Sequence, residues 1–206
     1  MSIFGLEITW VEFFGVIFNL LGVWLTIKKS RFCFPVGIIG VALYVIYYFQ
    51  IKLYADTLLQ VFYIGLLVYG WMQWKKTNDN NAFIVTNVLP RQWLLLSFIC
   101  VGGTLLIGTV FHLFTDASIP YLDAFLTSMS LIAQWLIAKK KLENWLIWIA
   151  ADVIYVGVFI FKESYPTAIL YFIFILLAVA GYFNWKKRAV IIKDLASGIT
   201  PSNNPA

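Results

Sequence analysis

The sequence predicts an all-α membrane protein of seven transmembrane helices, arranged 3+1+3 as two parallel repeats and a linking helix. Three observations lead there. The 206-residue chain is 62% hydrophobic and only 12% charged, against roughly 25% charge in a soluble domain. Apolar stretches long enough to cross a bilayer recur along nearly its whole length. Residues 13–76 reappear as residues 124–187 in one ungapped register shifted by 111 positions. The chain is therefore read as a single membrane domain over 1–206, multi-pass, with no soluble domain attached.

The first span is placed at about 10–28, with Asn19 near its middle. The N-terminus has no basic leader, so this span is expected to serve as the insertion signal. Lys28, Lys29 and Arg31 close it. The second span, about 33–50, starts beside Pro35, a residue suited to a helix start. The third, about 55–74, carries Gln60 and Tyr63 and ends on Lys75 and Lys76. A loop over Thr77–Pro90, the longest in the chain, leads past Arg91 into the linking span at about 92–114.

The fifth span, about 121–139, follows Pro120 and contains Thr127, Ser128, Ser130 and Gln134 before Lys139, Lys140 and Lys141. The sixth runs from 144 to 161, and the seventh, after Pro166, from about 166 to 185 with Tyr171 inside it. Lys186, Lys187, Arg188 and Lys193 follow. Residues 197–206 have the Ser, Asn, Pro and Gly composition of a disordered tail.

Charge sets the orientation. Thirteen of the fifteen basic residues fall on one side of these spans, with Lys52 and Lys162 on the other. The positive-inside rule then puts the N-terminus outside and the C-terminus in the cytoplasm, which requires an odd number of spans. The net charge of +5 is thus explained by topology and implies no nucleic-acid partner. Cys33 and Cys100 lack motif spacing, so neither a metal nor a disulfide is inferred, and no cofactor is implied. No phosphate-binding G-x-x-x-x-G-K-[ST] loop and no nucleophile–base pair occurs, so an ATP-driven engine and an enzyme are both disfavoured. His112 stands alone at a span end and reads as a boundary residue.

In the repeat, Trp24 aligns with Trp135, Lys28-Lys29 with Lys139-Lys140, Tyr44 with Tyr155, and Tyr54 with Tyr165. Gly70 aligns with Gly181, Trp74 with Trp185, and Lys75-Lys76 with Lys186-Lys187. One linking span leaves both units in the same orientation, an architecture that holds a solute near the bilayer midplane between the halves.

The polar residues are not repeated. Phe34, Gly37 and Val41 stand where the second unit has Trp145, Trp148 and Asp152. On a helix, Trp145, Trp148, Asp152 and Tyr155 share one face. A mid-span carboxylate is costly in lipid and marks a functional site or a pairing between helices. No Lys, Arg or His lies at membrane depth to pair with it. Indoles beside a carboxylate suit a flat organic cation, through charge pairing and cation–π attraction. Asn19, Gln60 and Gln134 are expected as further contacts, with Tyr63 and Tyr171 along the path. Thr127, Ser128 and Ser130 are expected to bond between helices. Trp10, Trp71, Trp74, Trp93 and Trp185 sit at span ends and read as an interfacial belt. A non-transporting sensor or scaffold subunit, using the Trp/Asp face to bind a partner helix, is the alternative from another class.

Several segments carry a family resemblance. They are Leu53-Tyr54-Ala55-Asp56, Tyr69-Gly70-Trp71-Met72-Gln73-Trp74, Asp123-Ala124-Phe125, Ala133-Gln134-Trp135, Glu143-Asn144-Trp145-Leu146-Ile147-Trp148 and Gly181-Tyr182-Phe183-Asn184-Trp185. Over about residues 10–188 the chain resembles the Pnu-type bacterial vitamin transporters, the PnuC-like family. The resemblance implies a 3+1+3 architecture similar to full-length SWEET transporters, and a homotrimer in the bacterial inner membrane. It also implies facilitated diffusion of an unphosphorylated vitamin, trapped afterwards by a cytoplasmic vitamin kinase, with Trp145 and Trp148 as substrate-binding residues. Nicotinamide riboside members usually end the W-x-x-W-x-x-x-[N/D] element in Asn, where this chain has Asp152. That difference points to thiamine, whose amino group can donate to a carboxylate, ahead of nicotinamide riboside, with uncharged riboflavin behind both.

Overall fold

A computed structural model describes residues 2–3, 6–7, 10–50, 54–76, 83–115 and 118–196; the side chains of 2–3, 6–7, Glu12, 54–56 and 190–196 are outside that description. The expected tail at 197–206, Lys52, Asp116 and residues 77–82 of the Thr77–Pro90 loop lie outside the described residues. So do the side chains of Tyr54 and Asp56.

Seven helices make up the fold: α1 (Trp10–Ile27), α2 (Cys33–Gln50), α3 (Tyr54–Lys75), α4 (Pro90–Phe114), α5 (Pro120–Ala138), α6 (Asn144–Phe161) and α7 (Tyr165–Ala196). A two-residue hairpin, β1 (Ser2–Ile3) with β2 (Leu6–Glu7), precedes them. Five of the helices, α2 and α4 to α7, are long and apolar enough to cross a membrane; in α1 the apolar stretch is the shorter Phe13–Ile27. Asp56, Gln60, Gln73 and Lys75 dilute the apolar character of α3. Helix α7 continues eleven residues past Trp185 because its sequence there, Lys186 to Ala196, holds no Gly or Pro.

Helix ends follow from the backbone. Lys29, Lys140 and Glu163 adopt left-handed φ values of 58°, 56° and 55°. Each closes a helix with the same pair of bonds. Ser30 N–H donates to Leu25 O at 3.0 Å and Lys29 N–H to Thr26 O at 2.9 Å. Lys141 N–H donates to Leu136 O at 2.9 Å and Lys140 N–H to Ile137 O at 2.9 Å. This Schellman geometry satisfies the last carbonyls, and a left-handed non-glycine residue costs about 1–2 kcal/mol. Lysine at these two ends also complements the helix dipole.

Within the halves α1 packs on α2 and α2 on α3, as α5 packs on α6 and α6 on α7. Across them α1 meets α7 and α3 meets α5, so the first and third helices form the seam. Helix α4 packs on α5 and otherwise turns an apolar face outward. The largest buried cluster lies at the lysine-rich end of the bundle and contains Phe34, Trp74, Trp145 and Trp185.

This corrects the belt reading of two tryptophans. Trp10, Trp71 and Trp93 are exposed, but Trp74 and Trp185 are core residues. Trp74 Nε1–H donates to Ile137 O at 3.2 Å. Trp185 Nε1–H donates to Thr26 O at 3.1 Å. Each tryptophan belongs to the third helix of one half and bonds a carbonyl in the last turn of the first helix of the other. Donors and acceptors are both 111 residues apart.

Candidate functional site

Between the halves lies a cavity of about 1140 Å³, reached by every helix. Its lining follows the 111-residue register. Thirteen pairs of lining residues stand that far apart, among them Asn19 and Ser130, Gln60 and Tyr171, Tyr63 and Phe174, and Val41 and Asp152.

The floor at the lysine-rich end is built on two glycines. A Cβ on Gly181 would meet the Trp145 ring at 2.6 Å. The Phe34 ring occupies the corresponding space at Gly70. Both rings are fully buried, and each lies edge-on to a seam tryptophan: Phe34 to Trp74 at 4.9 Å between centroids, Trp145 to Trp185 at 5.4 Å. The Trp145 indole N–H finds no acceptor among the described residues. At the other end of the cavity stand Asp123, Thr115 and Phe114, the last 79% exposed.

Helix α6 turns Trp145, Trp148, Asp152, Tyr155 and Phe159 to the cavity, which is the face their spacing predicts. Asp152 is only 3% exposed. Among the described residues no side chain hydrogen-bonds its carboxylate and no cation lies against it. Among the described residues no Lys, Arg or His lines the cavity. A buried carboxylate without a partner is held at a cost that a cationic occupant would relieve.

All nine residues singled out from the sequence, Asn19, Gln60, Tyr63, Gln134, Trp145, Trp148, Asp152, Tyr155 and Tyr171, border this one space. Tyr155 stacks on Tyr171 at 4.5 Å, and Phe159 on Tyr171 at 5.2 Å, forming an aromatic wall a turn beyond Asp152. Ser130, expected to bond between helices, faces the cavity, which Tyr63 of α3 and Tyr155 of α6 also border. Thr127 faces the cavity as well. Ser128 makes no hydrogen bond among the described residues; it packs where a Cβ on Gly103 would lie.

Sequence reasoning passed over Asp123, Tyr44 and Phe34 as lining residues. For Tyr44 and Phe34 the signal was available, since they are the register partners of Tyr155 and Trp145. Asp123 looked like an ordinary acidic residue in the first turn of a helix.

The sequence pattern of a family described as nicotinamide mononucleotide transporter matches residues 9–187, most of the chain. The chain belongs to this family. It is 30% identical over 211 residues to the nicotinamide riboside transporter PnuC of Escherichia coli (strain K12), across 90% of this chain and 88% of that protein. It is 24% identical over 193 residues to the riboflavin/roseoflavin transporter RibM of Streptomyces davaonensis, across 91% and 89%. The fold is that of the vitamin B3 transporter PnuC seen in a crystal structure, with a TM-score of 0.71 at 24% identity, over 88% of this chain and 82% of the other. The Pnu-type family drawn from the sequence segments is therefore the right one. The preference for thiamine within it gains no support from these relatives, whose names favour nicotinamide riboside.

Proposed function

We propose that this protein carries nicotinamide riboside into the bacterial cell by facilitated diffusion, and that all seven helices cross the inner membrane. In this reading 13–76 and 124–187 are parallel repeats joined by 92–114, with the N-terminus outside and the C-terminus in the cytoplasm. The protein works as a homotrimer, and a cytoplasmic kinase traps the vitamin.

The observation that carries the reading is the Asp152 carboxylate, buried and unpaired beside Trp148 in a cavity with no basic residue. The pyridinium ring of nicotinamide riboside is flat and positively charged. Trp145 and Trp148 flank it, Asp152 compensates its charge, and Asn19, Gln60, Gln134 and the Tyr63–Ser130–Tyr155 hydroxyls serve the carboxamide and ribose. An Asp in the usual Asn position leaves a cation welcome, so it does not require thiamine. The family description names a mononucleotide, but a phosphate would find no cation here and would face a carboxylate. The riboside is therefore the favoured form, and trapping by phosphorylation follows from the same electrostatics.

Calorimetry on purified protein with nicotinamide riboside, thiamine, riboflavin and nicotinamide mononucleotide tests this. Nicotinamide riboside should bind tightest and the mononucleotide weakest. Liposomes containing only this protein should then accumulate labelled riboside by counterflow. Tighter binding of thiamine or of the mononucleotide would overturn the substrate assignment, and binding without counterflow would make the protein a sensor.

A further inference from the structure

The stretch between α3 and α4 reads as a plain loop in the sequence, yet its described part packs on the aromatic cluster at the lysine-rich end of the bundle. Residues 83–89 run against the α5–α6 turn. Thr86 N–H donates to Lys140 O at 3.2 Å, Leu142 N–H to Thr86 O at 3.0 Å, and Lys141 Nζ to Asn87 O at 2.8 Å. That pairing fixes Val85, which is buried in the main core cluster, and delivers Phe83 to the seam.

The Phe83 ring lies edge-on to Trp74 at 4.7 Å and to Trp185 at 5.3 Å. Those two indoles are 6.1 Å apart and are the groups that bond each half to the other. Lys140 Nζ sits over the outer side, 4.9 Å from the Phe83 ring and 6.0 Å from Trp74. Burial holds this ammonium below the usual lysine range. From the cavity outward the order is Phe34 and Trp145, then Trp74 and Trp185, then Phe83 beneath Lys140.

We infer that Phe83 is a gating residue, a wedge that keeps the lysine-rich end of the cavity shut by bridging Trp74 of the first half to Trp185 of the second. Solute leaving by that end must pass where the two indole–carbonyl bonds cross the seam. Parting them separates α3 from α5 and α1 from α7. The segment is paired to the α5–α6 turn, so Phe83 moves with the second half and must peel from Trp74 for the seam to open. Two aromatic edge contacts of this kind resist that step. The role has no duplicate, because the position equivalent to the loop is taken up by the continuing α7. Phe83 does not line the cavity, so it can change passage without touching the occupant.

The inference rests on the transport reading, and its test has an arm that does not. Cys33 is 4% exposed, borders the cavity and belongs to the same core cluster as the plug. In a Cys100→Ser background a membrane-impermeant maleimide is added to vesicles presenting the lysine-rich face outward. Phe83→Ala should label Cys33 at least tenfold faster than the parent, and Phe83→Tyr at the parent rate. Reagent from the opposite face should label all three alike. In counterflow Phe83→Ala should raise the initial rate severalfold while the Kd for nicotinamide riboside stays within twofold. Should Phe83→Ala not fold, Phe83→Leu should show about a threefold faster labelling. Parent-rate labelling in a folded Phe83→Ala or Phe83→Leu protein overturns the gate, as does a parallel loss of binding and thermal stability. If no vitamin binds or moves in the parent, the transport reading fails, and Cys33 labelling still decides whether Phe83 seals the cavity.

Discussion

Helices α2 and α6 present Phe34 and Trp145, Gly37 and Trp148, Val41 and Asp152, and Tyr44 and Tyr155 to the same cavity from opposite sides. At the ends of the same halves, Trp74 and Trp185 make equivalent indole bonds, and Lys29 and Lys140 adopt equivalent left-handed turns. The seam is kept alike in both halves while the lining has diverged. Under the proposed transport function, matched latches let the halves move as equivalent bodies, and an asymmetric lining lets them hold one small solute in one orientation. Variants at positions 111 apart separate these two demands.

The largest contrast is expected between Asp152 and Val41. A hydrogen bond or charge contact to an ionised group contributes about 1.5–3 kcal/mol, so Asp152→Asn should weaken nicotinamide riboside binding about 10- to 100-fold. Val41→Asn, at the facing position, should change it far less. Asp152 is a carboxyl group buried without a partner among the described residues. Neutralising it should therefore leave the melting temperature unchanged or raise it, since uncompensated burial of charge is costly. Calorimetry beside a thermal melt checks both signs. Loss of stability in step with binding would mean the carboxylate is holding helices together.

The two floor glycines come next. Alanine at Gly70 or Gly181 would drive a methyl into Phe34 or Trp145, and overpacking of this kind costs about 1–3 kcal/mol. Both substitutions should lower thermal stability by similar amounts, because both glycines serve the frame. Only Gly181→Ala should also weaken vitamin binding, because only it displaces an indole of the site. Equal effects on binding would mean that Phe34 contributes as much as Trp145.

Much of this was readable in the chain. The span ends were marked by Lys28-Lys29, Lys139-Lys140 and the prolines, and the i, i+3, i+7, i+10 spacing placed Trp145, Trp148, Asp152 and Tyr155 on the cavity face. What could not be read had physical causes. An indole at a helix end looks the same in sequence whether it stays exposed, as Trp71 does, or bonds a carbonyl across a seam, as Trp74 does. A hydroxyl such as Ser130 can serve a neighbouring helix or face a cavity, as it does here, so its residue type does not choose between them. Phe83 was hidden in a polar loop because nothing local announces a contact with residues about a hundred positions away. The choice among vitamins was not legible because Asp and Asn both accept a flat cation; the names of the relatives favour nicotinamide riboside over thiamine.

The smallest expected effect tests the frame most directly. Trp74→Phe and Trp185→Phe each keep a ring in the aromatic cluster and remove one indole donor, leaving Ile137 O or Thr26 O with its backbone donor alone. A neutral hydrogen bond contributes about 0.5–1.5 kcal/mol net, so each variant should lose about 1 kcal/mol in a denaturant titration, and the two losses should agree within error. The Phe83 wedge leans on both indoles, 4.7 Å from one and 5.3 Å from the other, so it does not by itself predict a difference between them. Lys140 does, because it lies over Trp74, whereas Lys29 donates to the Asn184 side chain. A larger loss for Trp74→Phe that vanished in a Lys140→Met background would trace the inequality to that ammonium and leave the two seam bonds equivalent. An inequality that survived Lys140→Met would mean the two latches are not the same device.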